Sequence, residues 1–377
     1  MDFRLSEEQK LLRRTVREFA ESVIAPRVQA MEETGETSKE VIGELAKQGL
    51  LGVCIPPEYG GTGMGSMARM LIVEEIGRVS AAVAFMLQTM HLSIDPIVSA
   101  GGDEVKKRYL PGLASGEHLG CMAVTESTGG SDPAGLRTQA NLDGDHYILN
   151  GRKVFISNAH VADLFIVVAR TGEGAKGLSA FVVEAGTQGI RAGRKEHKFG
   201  LKGCTTGEVV IENCRVPVAN RLGDEGQGLK VAFAAISRSG RTGTAGTALG
   251  ILAACLEAAV KQANERQLYG EPIAKLQGIQ WQVSDIWMDL QVARLLCYQA
   301  ATLIDQNARC DPEVAAAKFY ATEAAVRSAK KAVDIYGGYG YLNEYPVQRY
   351  YRDAECLIAS AGTAEVMRII MAKAALG

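Results

Sequence analysis

The chain has 377 residues, of which 47% are hydrophobic and 22% charged, with a formal net charge of −2. That composition fits a globular protein of two or three domains with a large core, and the charge makes no electrostatic case for nucleic acid or an anionic membrane as partner. Eight scattered cysteines without a C-x-x-C pair, and only five histidines, argue against a metal site and for reduced thiols in a cytoplasmic protein. The first residues lack an apolar signal core, and no unbroken run of ~18 apolar residues predicts a membrane span.

Residues 1–120 read as an α-helical domain. Ser6 is a helix N-cap with Glu7 and Glu8 in the first turn. Leu11, Val16, Phe19 and Val23 follow at helical spacing, and Ala25-Pro26 predicts the end of that helix. Further helices are predicted over 38–50, 67–78, 81–94 and 103–113. The 81–94 stretch is almost wholly apolar and so should be buried all round. Residues 121–226 change to short β runs at 147–149, 154–157, 164–169, 178–183 and 207–211, separated by Gly, Asn and Asp turns; they predict an antiparallel sheet or small barrel. Residues 227–377 return to long Ala-rich helical segments of a length suited to a four-helix bundle. The fold class expected is mainly α with a central β domain.

The first chemical signal is residues 121–132, CMAVTESTGGSD: a short strand running into a Thr/Ser/Gly turn whose N–H groups and hydroxyls suit a phosphate or a polar ring edge. Residues 151–158, GRKVFISN, and 352–365, RDAECLIASAGTAE, follow it in register. Together the three resemble the acyl-CoA dehydrogenase family, and the resemblance covers essentially the whole chain. It implies an N-terminal helical domain, a middle β-barrel and a C-terminal four-helix bundle. It also implies bound FAD, an acyl-CoA substrate, an electron-transfer flavoprotein or similar acceptor, and a homotetramer.

On the first two stretches the resemblance sets the flavin against Met122, Val124, Thr125, Gly130, Ser131, Phe155, Ile156 and Ser157. Thr125 would touch the ring edge, Phe155 would pack on the ring face, and Ser157 would reach the N5 region; Ser127 departs from the family's usual Pro. Arg266, Tyr269 and Gln277 resemble a segment that meets the FAD diphosphate of a neighbouring subunit, where a guanidinium fork suits phosphate. Gly337 and Gly338 resemble the turn beside the adenosine half. Asp334 stands where the family usually has Gln, which puts that contact in doubt. Thr363 and Glu365 continue the cofactor segment. Gln88, Ser131, Arg238, Arg241, Ala361 and Gly362 fall on the substrate side.

The family removes a weakly acidic proton beside the thioester carbonyl, and a carboxylate is needed to take it. The usual Glu corresponds to Ala361, and the alternative Glu of a minority corresponds to Gly240, so both seats hold very small residues. Three explanations stand: a relocated base, a flavoenzyme reaction that needs none (desulfinase-like or oxygen-using), or a CoA-ester-binding paralogue without turnover. For a relocated base, i, i+4 spacing puts Ala84, Gln88, His91, Leu92 and Asp95 on one face of the 81–94 helix. Asp95 is the first candidate and His91 the second, although Asp95-Pro96 also reads as a helix start. Small residues at both seats suggest a wide acyl group, as in relatives acting on cyclohexane- or cyclohexene-carboxyl-CoA.

Overall fold

The computed structural model describes residues 4–377. Ser6 and Gln9 exchange side-chain and backbone hydrogen bonds in a capping box that starts α1 (Glu7–Phe19). The chain then widens into a π turn, Ala20–Ile24, tightens at Ala25–Arg27, and resumes as α2 (Val28–Thr34). Pro26 therefore redirects the helical path instead of ending it. Ser38 caps α3 (Lys39–Lys47), and α4 (Gly65–Val79), α5 (Ala81–Ala100) and α6 (Asp103–Ser115) follow. No helix starts at Asp95-Pro96. Ser80 caps α5 through the Val83 N–H, and the helix runs through Pro96 to Ala100. The proline removes one helical N–H bond, and packing of α5 against α4 and the 236–241 turn keeps the rest in place.

The central sheet contains β1 (Gly120–Ala123), β2 (Gln139–Asp143), β3 (His146–Ser157), β4 (Leu164–Arg170), β5 (Leu178–Glu184), β6 (Ile190–Lys195), β7 (Thr206–Pro217) and β8 (Arg221–Leu222). Its order is β6-β7-β3-β2-β4-β5-β8, with β1 beside β4. The pairings are antiparallel except β1–β4 and β2–β4, which are parallel. Between Lys153 and Ile156 the β3–β7 register shifts, and Phe155 sits in this bulge at φ 58°. A bulge sets extra residues against the partner strand and re-aims the side chain; here it turns the Phe155 ring out of the sheet, 65% exposed.

The C-terminal part begins with α7 (Gly228–Ala235), a π turn at Ile236–Arg241, and α8 (Thr242–Glu265). A hairpin of β9 (Gln267–Leu268) and β10 (Glu271–Pro272) leads to α9 (Gln277–Asp305), α10 (Asp311–Tyr336), α11 (Val347–Ile358) and α12 (Ala364–Leu376). Helices α8, α9 and α10 pack on one another, and α11 and α12 lie against α10. Alanine and glycine let α8 come close to α4: a Cβ on Gly250 would lie 2.4 Å from the Gly77 carbonyl carbon. Helix α5 and the Gly228–Glu265 path are long and apolar enough to cross a membrane, but 83% and 78% of their apolar windows are buried inside the protein. Helix α9 instead exposes Trp281, Trp287, Met288 and Leu295.

Candidate active site

The three parts meet at a cavity of about 1280 Å³. Its floor is α5, which contributes Phe85, Gln88, Thr89 and Leu92. These are i, i+3, i+4 and i+7, one continuous helical face. Of the five positions expected to share a face, only Gln88 and Leu92 line the cavity; Ala84, His91 and Asp95 do not. Because α5 is apolar on every side, its sequence pattern does not mark which face meets the cavity.

His91 and Asp95, the two residues expected as bases, stand outside the cavity lining. His91 is 1% exposed, and neither ring nitrogen makes a hydrogen bond of good geometry. Burial, aided by the Arg69 charge, pushes its pKa down to about 3, and the nearby Leu50 and Leu51 backbone offsets only part of this. Asp95 Oδ2 accepts the Ser239 hydroxyl at 3.0 Å. Burial raises the Asp95 carboxyl above the usual range, against the Arg238 and Arg69 charges. Arg69 donates to the Ser239 hydroxyl and the Arg238 carbonyl, both at 2.5 Å, and to Thr242 Oγ1 at 2.7 Å. Asp95 and Arg69 thus hold the back of the 236–241 π turn.

From that turn Ile236 and Arg241 line the cavity, and Gly240 sits just before Arg241. A Cβ built on Gly240 would stand 3.5 Å from Ala361 Cβ and 3.3 Å from Leu92 Cδ1, so the two carboxylate seats face each other in contact distance. Ala361 is left-handed, at φ 54°, and Gly362 follows at φ 109°. Lys318 Nζ holds this turn by donating to the carbonyls of Ile358 at 2.6 Å and Gly362 at 2.8 Å.

The opposite wall is the 121–132 loop and the β3 bulge. Met122, Val124, Thr125, Gly130, Ser131, Phe155, Ile156 and Ser157 all line the cavity, as does Thr363, which caps α12. The Thr125 carbonyl accepts the Val154 N–H at 2.9 Å. Beneath the loop is an ion pair that motif reading had not assigned a role. Lys153, wholly buried, donates to Glu126 Oε1 at 2.8 Å and to the Val124 carbonyl at 3.0 Å. Glu126 also accepts the Arg137 N–H at 2.7 Å, the Thr138 N–H at 3.0 Å and the Thr138 hydroxyl at 2.6 Å. Burial pushes the Lys153 pKa down to about 8 despite Glu126. For Glu126 burial acts upward, and Lys153 with the hydrogen bonds outweighs it, leaving the carboxyl below the usual range.

Of the expected substrate-side residues, Gln88, Ser131, Arg241, Ala361 and Gly362 line the cavity. Arg238 does not: it is exposed, and its carbonyl is taken by Arg69 and Thr242. Arg266, Tyr269, Gln277, Asp334, Gly337, Gly338 and Glu365 also lie outside the cavity of their own chain and are exposed. Asp334 is engaged by Lys330, with both oxygens within 2.8 Å of the ammonium. Phe85, Thr89, Lys198 and Asp311 line the cavity without having been expected, and no spacing or motif marks them in the sequence.

The wall suits a flavin. It offers an outward-facing aromatic ring at a bulge, hydroxyls at Thr125, Ser131 and Ser157, and apolar surface from Met122 and Ile156. Gln88 lines the cavity, and its Oε1 is buried beside Gly243 without a hydrogen-bond donor.

Helical, sheet and helical parts around such a wall define a three-domain flavin-dependent oxidoreductase. Residues 6–117 match the N-terminal domain of acyl-CoA dehydrogenases, 121–214 the middle domain and 226–376 the C-terminal domain. An acyl-CoA dehydrogenase of Bacillus subtilis (strain 168) is 44% identical over 377 residues, with 99% of each chain covered. Butyryl-CoA dehydrogenase from Megasphaera elsdenii superimposes with a TM-score of 0.97 at 37% identity, covering 100% of both chains. A chain in a structure of the electron transferring flavoprotein of Acidaminococcus fermentans gives 0.98 at 38% identity, again over 100% of both chains. The chain belongs to the acyl-CoA dehydrogenase family: it is an FAD-dependent oxidoreductase of CH–CH groups with an acyl-CoA substrate.

Proposed function

We propose that this enzyme dehydrogenates the CoA thioester of a wide acyl group, of the alicyclic cyclohexane- or cyclohexene-carboxyl-CoA kind. The supporting observation is the pair of residues at the two carboxylate seats, Gly240 and Ala361, neither of which carries a side chain longer than a methyl. FAD supplies the hydride acceptor when bound, held by Thr125, Ser131, Phe155 and Ser157. Gln88 and Gly362 position the thioester, and Phe85 and Leu92 keep water from the acyl group.

The reduced flavin passes electrons to an electron-transfer flavoprotein or similar acceptor. The enzyme works as a cytoplasmic homotetramer; its eight cysteines are free, and the exposed Trp281, Met288 and Leu295 of α9 recur every seven residues, as a helix-packing seam does. Arg266, Tyr269, Gln277, Gly337 and Gly338 serve the FAD of a neighbouring subunit in this assembly.

The test is anaerobic flavin bleaching by a panel of CoA thioesters. Cyclohexanecarboxyl-CoA is expected to bleach the flavin faster than butyryl- or octanoyl-CoA. Fastest bleaching by a straight-chain ester would refute the wide-pocket reading. A second reading, flavin chemistry on a CoA ester without an α-proton base, is favoured by the absence of an acid or base at either seat; an ester that is turned over without bleaching the flavin would put it first, and oxygen consumption in a separate aerobic assay with an added reductant would single out its oxygen-using form.

A further inference from the structure

Arg69 of α4 is 2% exposed, and its hydrogen bonds run to the Arg238 carbonyl, the Ser239 hydroxyl and the Thr242 hydroxyl, three groups of one turn. In an α-helix the Thr242 N–H would meet the Arg238 carbonyl; here it goes to the Ser239 carbonyl. A helix carbonyl deprived of its N–H needs another donor. Arg69 Nη2 and Thr242 Oγ1 supply it, each at 2.5 Å from the Arg238 carbonyl. Asp95 accepts the Ser239 hydroxyl at 3.0 Å, so Ser239 is drawn toward α4 and α5. Helix α4 is itself anchored: Glu74 pairs with Arg13 of α1 and Arg294 of α9, and accepts the Tyr298 hydroxyl at 2.6 Å.

This bonding decides what the turn shows to the cavity. Leu229, Ala232, Phe233 and Ile236 line the cavity from one α-helical face. Continued as an α-helix, that face would next present Ser239 and Gly240. Neither lines the cavity, whereas Arg241 does. Ile236 and Arg241 are five positions apart, which is ~140° in an α-helix, so the wider turn is what lets both look into the same space. We propose that Arg69 is a positioning residue of the active site: by capturing the Arg238 carbonyl and the Ser239 hydroxyl it selects the π register, and so presents Arg241 instead of Ser239 to the bound CoA ester. A guanidinium suits this role because its fixed fork reaches several acceptors at once, where an ammonium is a point charge. The role is independent of the width of the acyl group.

The test uses the flavin-loaded protein. Amide hydrogen exchange over 236–242 and crystal structures are compared for wild type, Arg69→Met and Arg69→Lys. In Arg69→Met those amides are expected to exchange at least ~10-fold faster, with Arg241 withdrawn from the cavity, and Arg69→Lys is expected to recover part of the protection. Ser239→Ala keeps the guanidinium and removes the hydroxyl; it should loosen the same amides, and it stands in if Arg69→Met does not fold. Affinities for butyryl-CoA and cyclohexanecarboxyl-CoA are read from perturbation of the flavin absorbance. Arg69→Met and Arg241→Met are each expected to weaken at least one ester ~10-fold. The double variant should be no weaker than Arg241→Met alone, since Arg69 acts through Arg241. Additive losses, wild-type affinity in Arg69→Met, or a π turn that persists there with wild-type exchange overturn the positioning role. Failure of both esters to bind the wild type overturns the acyl-thioester reading, and exchange and structure then decide the role of Arg69 by themselves.

Discussion

Replacing Lys153 by Met tests whether the buried pair holds the flavin loop. The substitution leaves Glu126 buried without its ammonium partner, a class of change that costs about 3–5 kcal/mol. Glu126 keeps three donors, from the Arg137 N–H, the Thr138 N–H and the Thr138 hydroxyl, so the loss belongs near the lower bound, ~3 kcal/mol. The assays are thermal melting and retention of FAD through gel filtration, because the Val124 carbonyl and the loop following it lose their anchor in the same change. The effect carries a pH signature. The folded Lys153 titrates at about 8, below the ~10.4 of an unfolded lysine. Between those values the unfolded chain binds the extra proton, so wild-type stability gains with rising pH in that window. Lys153→Met lacks this gain, and its deficit should widen from pH 8 to 10. Glu126→Gln combined with Lys153→Met should recover part of the loss, since both charges are then gone. A single variant that melts within ~1 kcal/mol of wild type and keeps its FAD would refute the brace.

Asp353 accepts the Leu201 N–H at 2.6 Å, and burial raises its pKa to about 6. The folded value exceeds the unfolded ~3.9, so its contribution is full below pH ~4 and is lost as pH rises through ~6. Asp353→Asn should therefore gain stability relative to wild type between pH 4.5 and 7 in melts, and a constant difference would contradict this. Asp95→Asn and His91→Gln should leave flavin reduction within ~3-fold of wild type, because neither side chain lines the cavity; a fall of ~10²- to 10⁴-fold would restore the pocket-helix base. Arg266→Ala should weaken FAD retention and the oligomer, read by flavin content and light scattering, and an unchanged flavin content would exclude its reach to a partner's cofactor.

What the sequence made legible depended on local chemistry. Ser6 and Ser38 marked helix starts because a hydroxyl cap acts within four residues, and the strands near 154–157 and 164–169 showed themselves through β-branched runs. This cavity wall was legible because its residues are nearly contiguous: Thr125, Ser127, Gly130 and Ser131 on one loop and Phe155 to Ser157 on one strand reach the same cavity. Helix α5 was not, since buried side chains on all faces leave no amphipathic phase, and the true cavity face is displaced toward Phe85 and Thr89. Asp95-Pro96 matched a helix start in sequence, yet tertiary packing carries the helix through it. The bulge that turns Phe155 outward arises from the register of β3 against β7, and the partnership of Lys153 with Glu126 spans 27 residues. Neither leaves a mark in a short window.

The π turn at Ile236–Arg241 makes the approach of Gly240 to Ala361 a matter of chain length as well as residue identity. A π turn holds one residue more than the α turn it interrupts, and each residue of a helix advances the side-chain direction by ~100°. Deleting one residue there would restore α geometry but rotate α7 against α8, so that a different neighbour would face Ala361. The smallness of Gly240 beside Ala361 and the charge of Arg241 at the cavity are thus delivered together by one inserted position. Among homologues aligned without gaps across this segment, the pair should vary as a unit; where a one-residue gap falls inside it, residue-by-residue comparison would match side chains that look into different space.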